Sequence, residues 1–147
     1  TDTKFYLYIP KIEAKSPIVA NVNPSAEETF KEALKFGIAH AEGTSRPDQD
    51  GSTFLFAHST DSPLNFAQYN AIFYLLHTIN PEDHDEIFVF YNDKFYKYRV
   101  EEKHIVDADD TSWLLNKTED KRLILQTCWP PGTSWKRLII VATPVEG

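Results

Sequence analysis

Arg122-Leu-Ile-Leu-Gln-Thr-Cys128 is an apolar run that stops at a cysteine, and Arg137-Leu-Ile-Ile-Val-Ala142 is a second apolar run, opened by an arginine nine residues after that cysteine. Each is of strand length, too short for an ordinary helix, and reads as a buried strand. Between them stands Trp129-Pro130-Pro131-Gly132-Thr133. Proline lacks the N–H that a central strand needs, so the first run ends where the loop begins. Adjacent antiparallel strands joined by such a loop bring Cys128 and Arg137 to one mouth.

Outward from this pair, short strands recur. Phe5–Ile9 and Ser16–Val22 are strand-like, each near a proline that suggests an edge or a bend. Ser25-Ala-Glu-Glu28 has the form of a capping box and opens a short amphipathic helix ending near Gly37. Ala41 to Gly51 is rich in turn formers, and Thr53-Phe-Leu-Phe-Ala57 is a strand that ends in His58. Phe66 to Ile79 carries aromatics and leucines at helical spacing, with Pro81 just beyond. Glu86–Tyr91 and Phe95–Val100 alternate on either side of Asn92-Asp-Lys94 and predict a hairpin. Seven or eight strands, two or three short helices and no repeating strand-helix pattern predict a mostly antiparallel barrel or sandwich.

Composition narrows the function classes. The 147 residues, 41% hydrophobic with ten Phe, seven Tyr and three Trp, suffice for one core, and residues 1–147 read as a single domain. A net charge of −7 with no basic cluster excludes a nucleic-acid binder, which must neutralise phosphates. One cysteine gives no disulfide framework. No stretch approaches a membrane span and no signal peptide is visible in these residues. The chain begins at Thr1 without methionine, so an upstream segment is expected to have been cut away.

Free cysteine is often a small buried hydrophobe. Cys128 instead ends a strand at a loop, where scaffolds present reactive groups. A thiol becomes a strong nucleophile as thiolate, a form that a neighbouring imidazolium or guanidinium favours. His58 is the candidate general acid and base, against the plainer role of a strand-end histidine with one backbone hydrogen bond. Arg137 offers a rigid donor to a developing oxyanion, against the usual surface ion pair. Thr127 and the amides around Cys128 are further donors, while Lys136 alternates to the other face. His40, His77, His84 and His104 lack paired ligand spacing, so no metal is expected. Asp107, Asp109, Asp110, Glu119 and Asp120 lack the spacing of a calcium loop and read as a solvated acidic face.

His58 at one strand end, Leu125-Gln-Thr-Cys128 at another and Lys136-Arg137 opening the last strand together resemble the sortase family of cysteine transpeptidases. Gly37-Ile-Ala-His40 and Gly43-Thr44, ahead of Ala57-His58, extend the resemblance over nearly the whole chain. One departure is visible: the family's Thr-Leu-x-Thr-Cys reads Ile124-Leu125-Gln126-Thr127-Cys128 here. An apolar residue for the first threonine touches packing more than chemistry.

The resemblance implies a closed β-barrel in which Cys128, His58 and Arg137 are catalytic. It implies cleavage of a Leu-Pro-x-Thr-Gly-type sorting signal in a secreted protein through a thioacyl enzyme. The acyl product would be joined to an amine on the cell wall or on another surface protein. It also implies an extracytoplasmic domain, held to the membrane by a segment outside this chain. Some sortases bind calcium in a related loop, though no cofactor is expected here. The substrate groove should be apolar, and the connection from Val106 to Lys121 offers Trp113 and Leu114 for it, with Trp129 and Trp135 bracketing the next loop. Each could equally serve packing. Nothing ahead of Tyr6 is long enough for an inhibitory lid, so a lidless subclass is expected. Two other readings use the same residues: a cysteine endopeptidase in which water is the acceptor, and a peptide-binding β-domain with an inert, buried Cys128.

Overall fold

Tyr91 pairs with Lys94, and the two residues between them, Asn92 and Asp93, both take positive φ, 51° and 67°. That is the two-residue turn whose twist suits a hairpin, adopted by residue types that tolerate the left-handed region. In the computed structural model, which describes residues 5–23, 26, 28, 38–57, 78–115, 119–129 and 135–145, this hairpin is part of a closed barrel. Its strands are β1 (Phe5–Ile9), β2 (Ala14–Val22), β3 (Ile38–Ala41), β4 (Ser52–Phe56), β5 (Glu86–Tyr91), β6 (Lys94–Asp107), β7 (Arg122–Trp129) and β8 (Lys136–Pro144). Around the barrel the order is β1-β2-β3-β4-β7-β8-β6-β5. Two pairs, β2 with β3 and β4 with β7, are parallel, and the rest are antiparallel. One short helix, α1 (Ser112–Leu115), lies between β6 and β7.

The two apolar runs become β7 and β8, neighbours in the barrel and covered on both faces. Leu123, Ile124 and Leu125 are fully buried in succession, as are Ile139 and Ile140, which is why neither run alternates. β6 is longer than the alternation of Phe95–Val100 predicts. It pairs with β5 through Arg99 and with β8 from Tyr98 to Asp107, and the register skips Glu101 between the two halves. Such a bulge re-aims a strand and here hides its continuation from a period-two reading. The edge expected from Pro17 is corrected: β2 is paired on both sides. Its register with β3 begins at Ile18, so the proline falls one residue before the second neighbour arrives and no ladder donor is lost there. The helices expected over Ser25–Gly37 and Phe66–Ile79 lie almost wholly outside the described residues.

His40, fully buried on β3, ties down the loop from Ala41 to Gly51. Its Nδ1 accepts the N–H of Asn21, a β2 residue at φ 60°, at 3.2 Å. Its Nε2 stands 3.0 Å from the Ser45 carbonyl and 3.1 Å from Thr44 Oγ1. The Asn21 donor requires a bare Nδ1, so the proton sits on Nε2 and points to Ser45. Gly43, at φ 87°, makes the turn in which Thr44 N–H returns to the Ala41 carbonyl. Burial holds the His40 pKa below its ordinary 6.5, against the opposing pull of the Ser45 carbonyl, and the Arg46 cation adds to the lowering.

The unfolded chain therefore takes a proton on His40 near pH 6.5 that the folded chain refuses until lower pH. Stability is complete above that value and falls as pH drops towards the depressed one. Urea unfolding should give a lower midpoint at about pH 5 than at about pH 7.5, and His40→Gln should shrink that difference.

Candidate active site

Nine residues of sequence separation become one rung of the ladder. In the β7–β8 register Cys128 is directly opposite Arg137, and Val106 of β6 is opposite Arg137 on its other side. Arg137 is half-buried, and its Nη1 donates to the Lys136 carbonyl at 3.1 Å. Lys136 occupies the next rung, opposite Trp129, where its Nζ makes an exposed ion pair with Asp107 at 3.1 Å. Of the two adjacent cations, Arg137 is the one placed beside position 128.

The side chain of Cys128 and the whole of His58 lie outside the described residues. Described chain reaches Ala57, whose N–H donates to the Gln126 carbonyl at 3.1 Å. The parallel β4–β7 register, ending in Phe56 opposite Gln126, makes that link.

Thr127 does not share the rung of Arg137. It pairs with Leu138 and is 2% exposed, and its hydroxyl has no hydrogen-bond partner among the described residues. A buried, unpaired hydroxyl costs about 1–3 kcal/mol. Thr127→Val keeps the shape and removes that cost, so chemical denaturation should show the variant more stable by roughly 1 kcal/mol.

Trp113 and Leu114 are half-buried against the core. The Trp113 ring stacks on His104 at 4.9 Å, with 28° between planes, and the Arg122 guanidinium lies 5.6 Å from its centroid. Arg122 also donates through Nε to Ser52 Oγ at 2.8 Å, and His104 Nε2 meets Glu102 Oε1 at 2.8 Å. Asp110 accepts both the N–H and the hydroxyl of Ser112 and so fixes the start of α1. His104 is opposite Ile139, and Ile139 opposite Gln126, two positions along β7 from Cys128. The connection that sequence offers as a groove wall is thus fastened to the barrel by His104, two rungs from the level of Cys128, and by Arg122 at the other end of β7. His104 and Arg122, which hold it, carry no motif and emerge only from the register. Trp129 is half-buried against the core, whereas Trp135 is 73% exposed. Among the described residues no three His, Cys, Asp or Glu side chains are grouped to hold a metal ion, and Asp107 is engaged with Lys136.

A family model described as the sortase domain matches residues 7–145. The chain belongs to the sortase family. Sortase D of Bacillus subtilis (strain 168) is 31% identical over 137 residues, covering 91% of this sortase and 60% of the relative. This sortase thus spans less than two thirds of that relative's length. Among solved structures, sortase C1 from Streptococcus suis is 27% identical with a TM-score of 0.77, covering 97% of this chain and 72% of that one. A Clostridium perfringens sortase D5 transpeptidase is 21% identical with a TM-score of 0.77, covering 99% and 80%, a likeness of fold. Pilus-related sortase C of Group B Streptococcus gives 0.80 at 24% identity, covering 99% and 70%. Ile124, where the family pattern has threonine, is fully buried in this sortase, so the departure is absorbed by the core.

Proposed function

We propose that residues 1–147 form a single catalytic domain of a cysteine transpeptidase acting on Leu-Pro-x-Thr-Gly-type sorting signals. The observation that carries the reading is the rung that sets Arg137 of β8 directly against Cys128 of β7. In this reading the Cys128 thiolate attacks the threonine carbonyl carbon, and the Arg137 guanidinium donates to the oxyanion that forms. His58, as imidazolium, gives its proton to the departing glycine amine, leaving a thioacyl enzyme and a neutral imidazole. The incoming amine then loses a proton to His58 and attacks the thioester carbonyl. The C–S bond breaks, an amide forms and the thiolate returns.

His58 enters the proposal from its place in the chain. It follows Ala57, which is bonded to the Gln126 carbonyl, and two residues beyond the Phe56–Gln126 pair each strand's sequence reaches His58 or Cys128. Trp113, Leu114, Trp129 and Trp135 are proposed to line the peptide groove, and the Thr127 hydroxyl stays a candidate donor. The reading assigns no cofactor to these steps. The partners are a secreted protein's sorting signal and an amine of the cell wall or of another surface protein. The domain is proposed to work outside the cytoplasm, attached to the membrane in the full-length protein. Among the described residues no helix is long and apolar enough to cross one.

Intact-protein and product mass spectrometry after incubation with Leu-Pro-x-Thr-Gly-type peptides, with and without an amine acceptor, tests this. An acyl adduct on Cys128 and an amine-linked product are expected. Hydrolysed peptide alone would make the chain an endopeptidase. An unreactive thiol with no turnover would leave a peptide-binding domain.

A further inference from the structure

Across the barrel from β7, the outer surface of β1 and β5 carries a block of aromatic rings that no part of the site uses. β1 and β7 are four places apart in the closed ring of eight strands, and so on opposite sides. Tyr6 is opposite Phe90 and Tyr8 opposite Phe88, while Phe95 of β6 is opposite Phe90. The alternating partners Leu7, Val89 and Tyr98 are buried, so the pleat turns the first set outward. Phe95 is 64% exposed and Tyr8 37%.

The rings lean on one another rather than lie flat. Tyr6 and Phe90 stack at 5.1 Å with 23° between planes, Tyr8 and Phe88 at 6.2 Å with 27°, and Phe95 meets Phe90 edge-on at 4.9 Å. Their faces are therefore turned to one another, an arrangement that offers no flat platform for a stacked sugar or base.

The charge around this block is of the opposite sign to the chain as a whole. Over β1, β2, β5 and the part of β6 up to Val100, the charged residues are Lys15, Lys94, Lys97 and Arg99 against one carboxylate, Glu86. Glu13 and Asp93 lie in turns beyond the strand ends. Lys15 and Lys97 flank the Tyr8–Phe88 row on its two sides; Lys97 Nζ is paired with Glu86 at 3.0 Å, which leaves Lys15, Lys94 and Arg99 as the uncompensated cations of these strands, and Lys15 Nζ lies 5.0 Å from the Tyr6 centroid. The protein carries a net −7, so this side is a local cationic exception on an acidic molecule. Two copies pressed together through it would set lysines against lysines, which disfavours a symmetric dimer. A planar anionic surface answers both features: amphipathic tyrosines and phenylalanines settle at headgroup depth, and lysines hold their stems along apolar material while the ammonium reaches anionic headgroups.

We propose that the outer face of β1, β2, β5 and the first half of β6 is a peripheral contact surface for an anionic lipid bilayer. Contact through it holds β7, with Cys128, on the side of the barrel turned away from the lipid.

Co-sedimentation of the chain with vesicles of phosphatidylcholine alone, and with equal parts of phosphatidylglycerol, is the test. Binding to the anionic vesicles only is expected, weakening as salt is raised. A Lys15→Glu/Lys97→Glu variant should bind at least about tenfold more weakly. Tyr8→Ser/Phe95→Ser should also bind more weakly, with thermal unfolding run alongside to establish that both variants fold. No binding to anionic vesicles, or binding that neither folded variant weakens, would overturn the proposal. Sedimentation of the free chain as a dimer that Phe95→Ser dissolves would also overturn it and assign the face to a second copy.

Discussion

Cys128→Ala is expected to leave the barrel intact and to lower peptide turnover by at least about four orders of magnitude, with no acyl adduct detectable by mass. The thiol is the only group in the proposed sequence that becomes covalently bound to substrate, and alanine offers nothing in its place. Position 128 is the next-to-last residue of β7, beyond the fully buried Leu123–Leu125 core of that strand, so the circular dichroism and melting temperature should change little. Residues that act as one unit are not additive in their effects. A Cys128→Ala/His58→Ala double variant should therefore be hardly slower than Cys128→Ala alone. Turnover that survives in Cys128→Ala would remove the nucleophile from the mechanism and, with it, the transpeptidase reading.

Arg137→Ala should come next in size. Loss of one preorganised oxyanion donor costs about two to three orders of magnitude, appearing chiefly in kcat. The fork of the guanidinium is planar and rigid, so Arg137→Lys, which keeps the charge and loses the fork, should restore only a small part. The comparison that separates catalysis from an ordinary ion pair stands one residue away. Lys136 has the same charge but is opposite Trp129 and engaged with Asp107 on the surface. Lys136→Ala should cost at most about 1 kcal/mol of stability, and turnover should stay close to wild type. Equal effects at 136 and 137, or an Arg137→Ala defect confined to KM, would assign Arg137 to substrate binding or general electrostatics.

The mostly β architecture was readable in sequence because two of its strands are unbroken apolar runs and a second pair turns at Asn92-Asp-Lys94, a turn that the structure narrows to Asn92-Asp93. These signals are local and depend on few competing forces. That Cys128 and Arg137 meet at one mouth was also readable, because antiparallel strands joined by a loop bring its two ends together, while the rung itself comes from the register. Three things were not. The second half of β6 is disguised by its skip at Glu101, beyond which no residue of the strand is fully buried and the alternation fades. Pro17 carries an edge signal that its particular register cancels. The fastening of Trp113 by His104 and Arg122 joins residues from two strands and a helix, and no pattern in one stretch of sequence encodes such a contact. His40 illustrates the same limit. Its ring is committed to Asn21 and Ser45, at the root of the loop between β3 and β4, partners that no motif in the sequence names.

The parallel pairing of β4 with β7 sets the tempo at which this domain can come into being. Arg122 and Ser52, bonded to each other at 2.8 Å, are 70 residues apart, and closing a chain segment of that length loses entropy before any contact rewards it. The β7–β8 hairpin is local and can form early. A half-folded chain thus carries Cys128 opposite Arg137 with β4 not yet docked on β7. Under the proposed mechanism the chemistry of Cys128 waits on that slow, non-local step, because His58 follows β4 in the chain, so chemical competence is timed by the completion of the barrel.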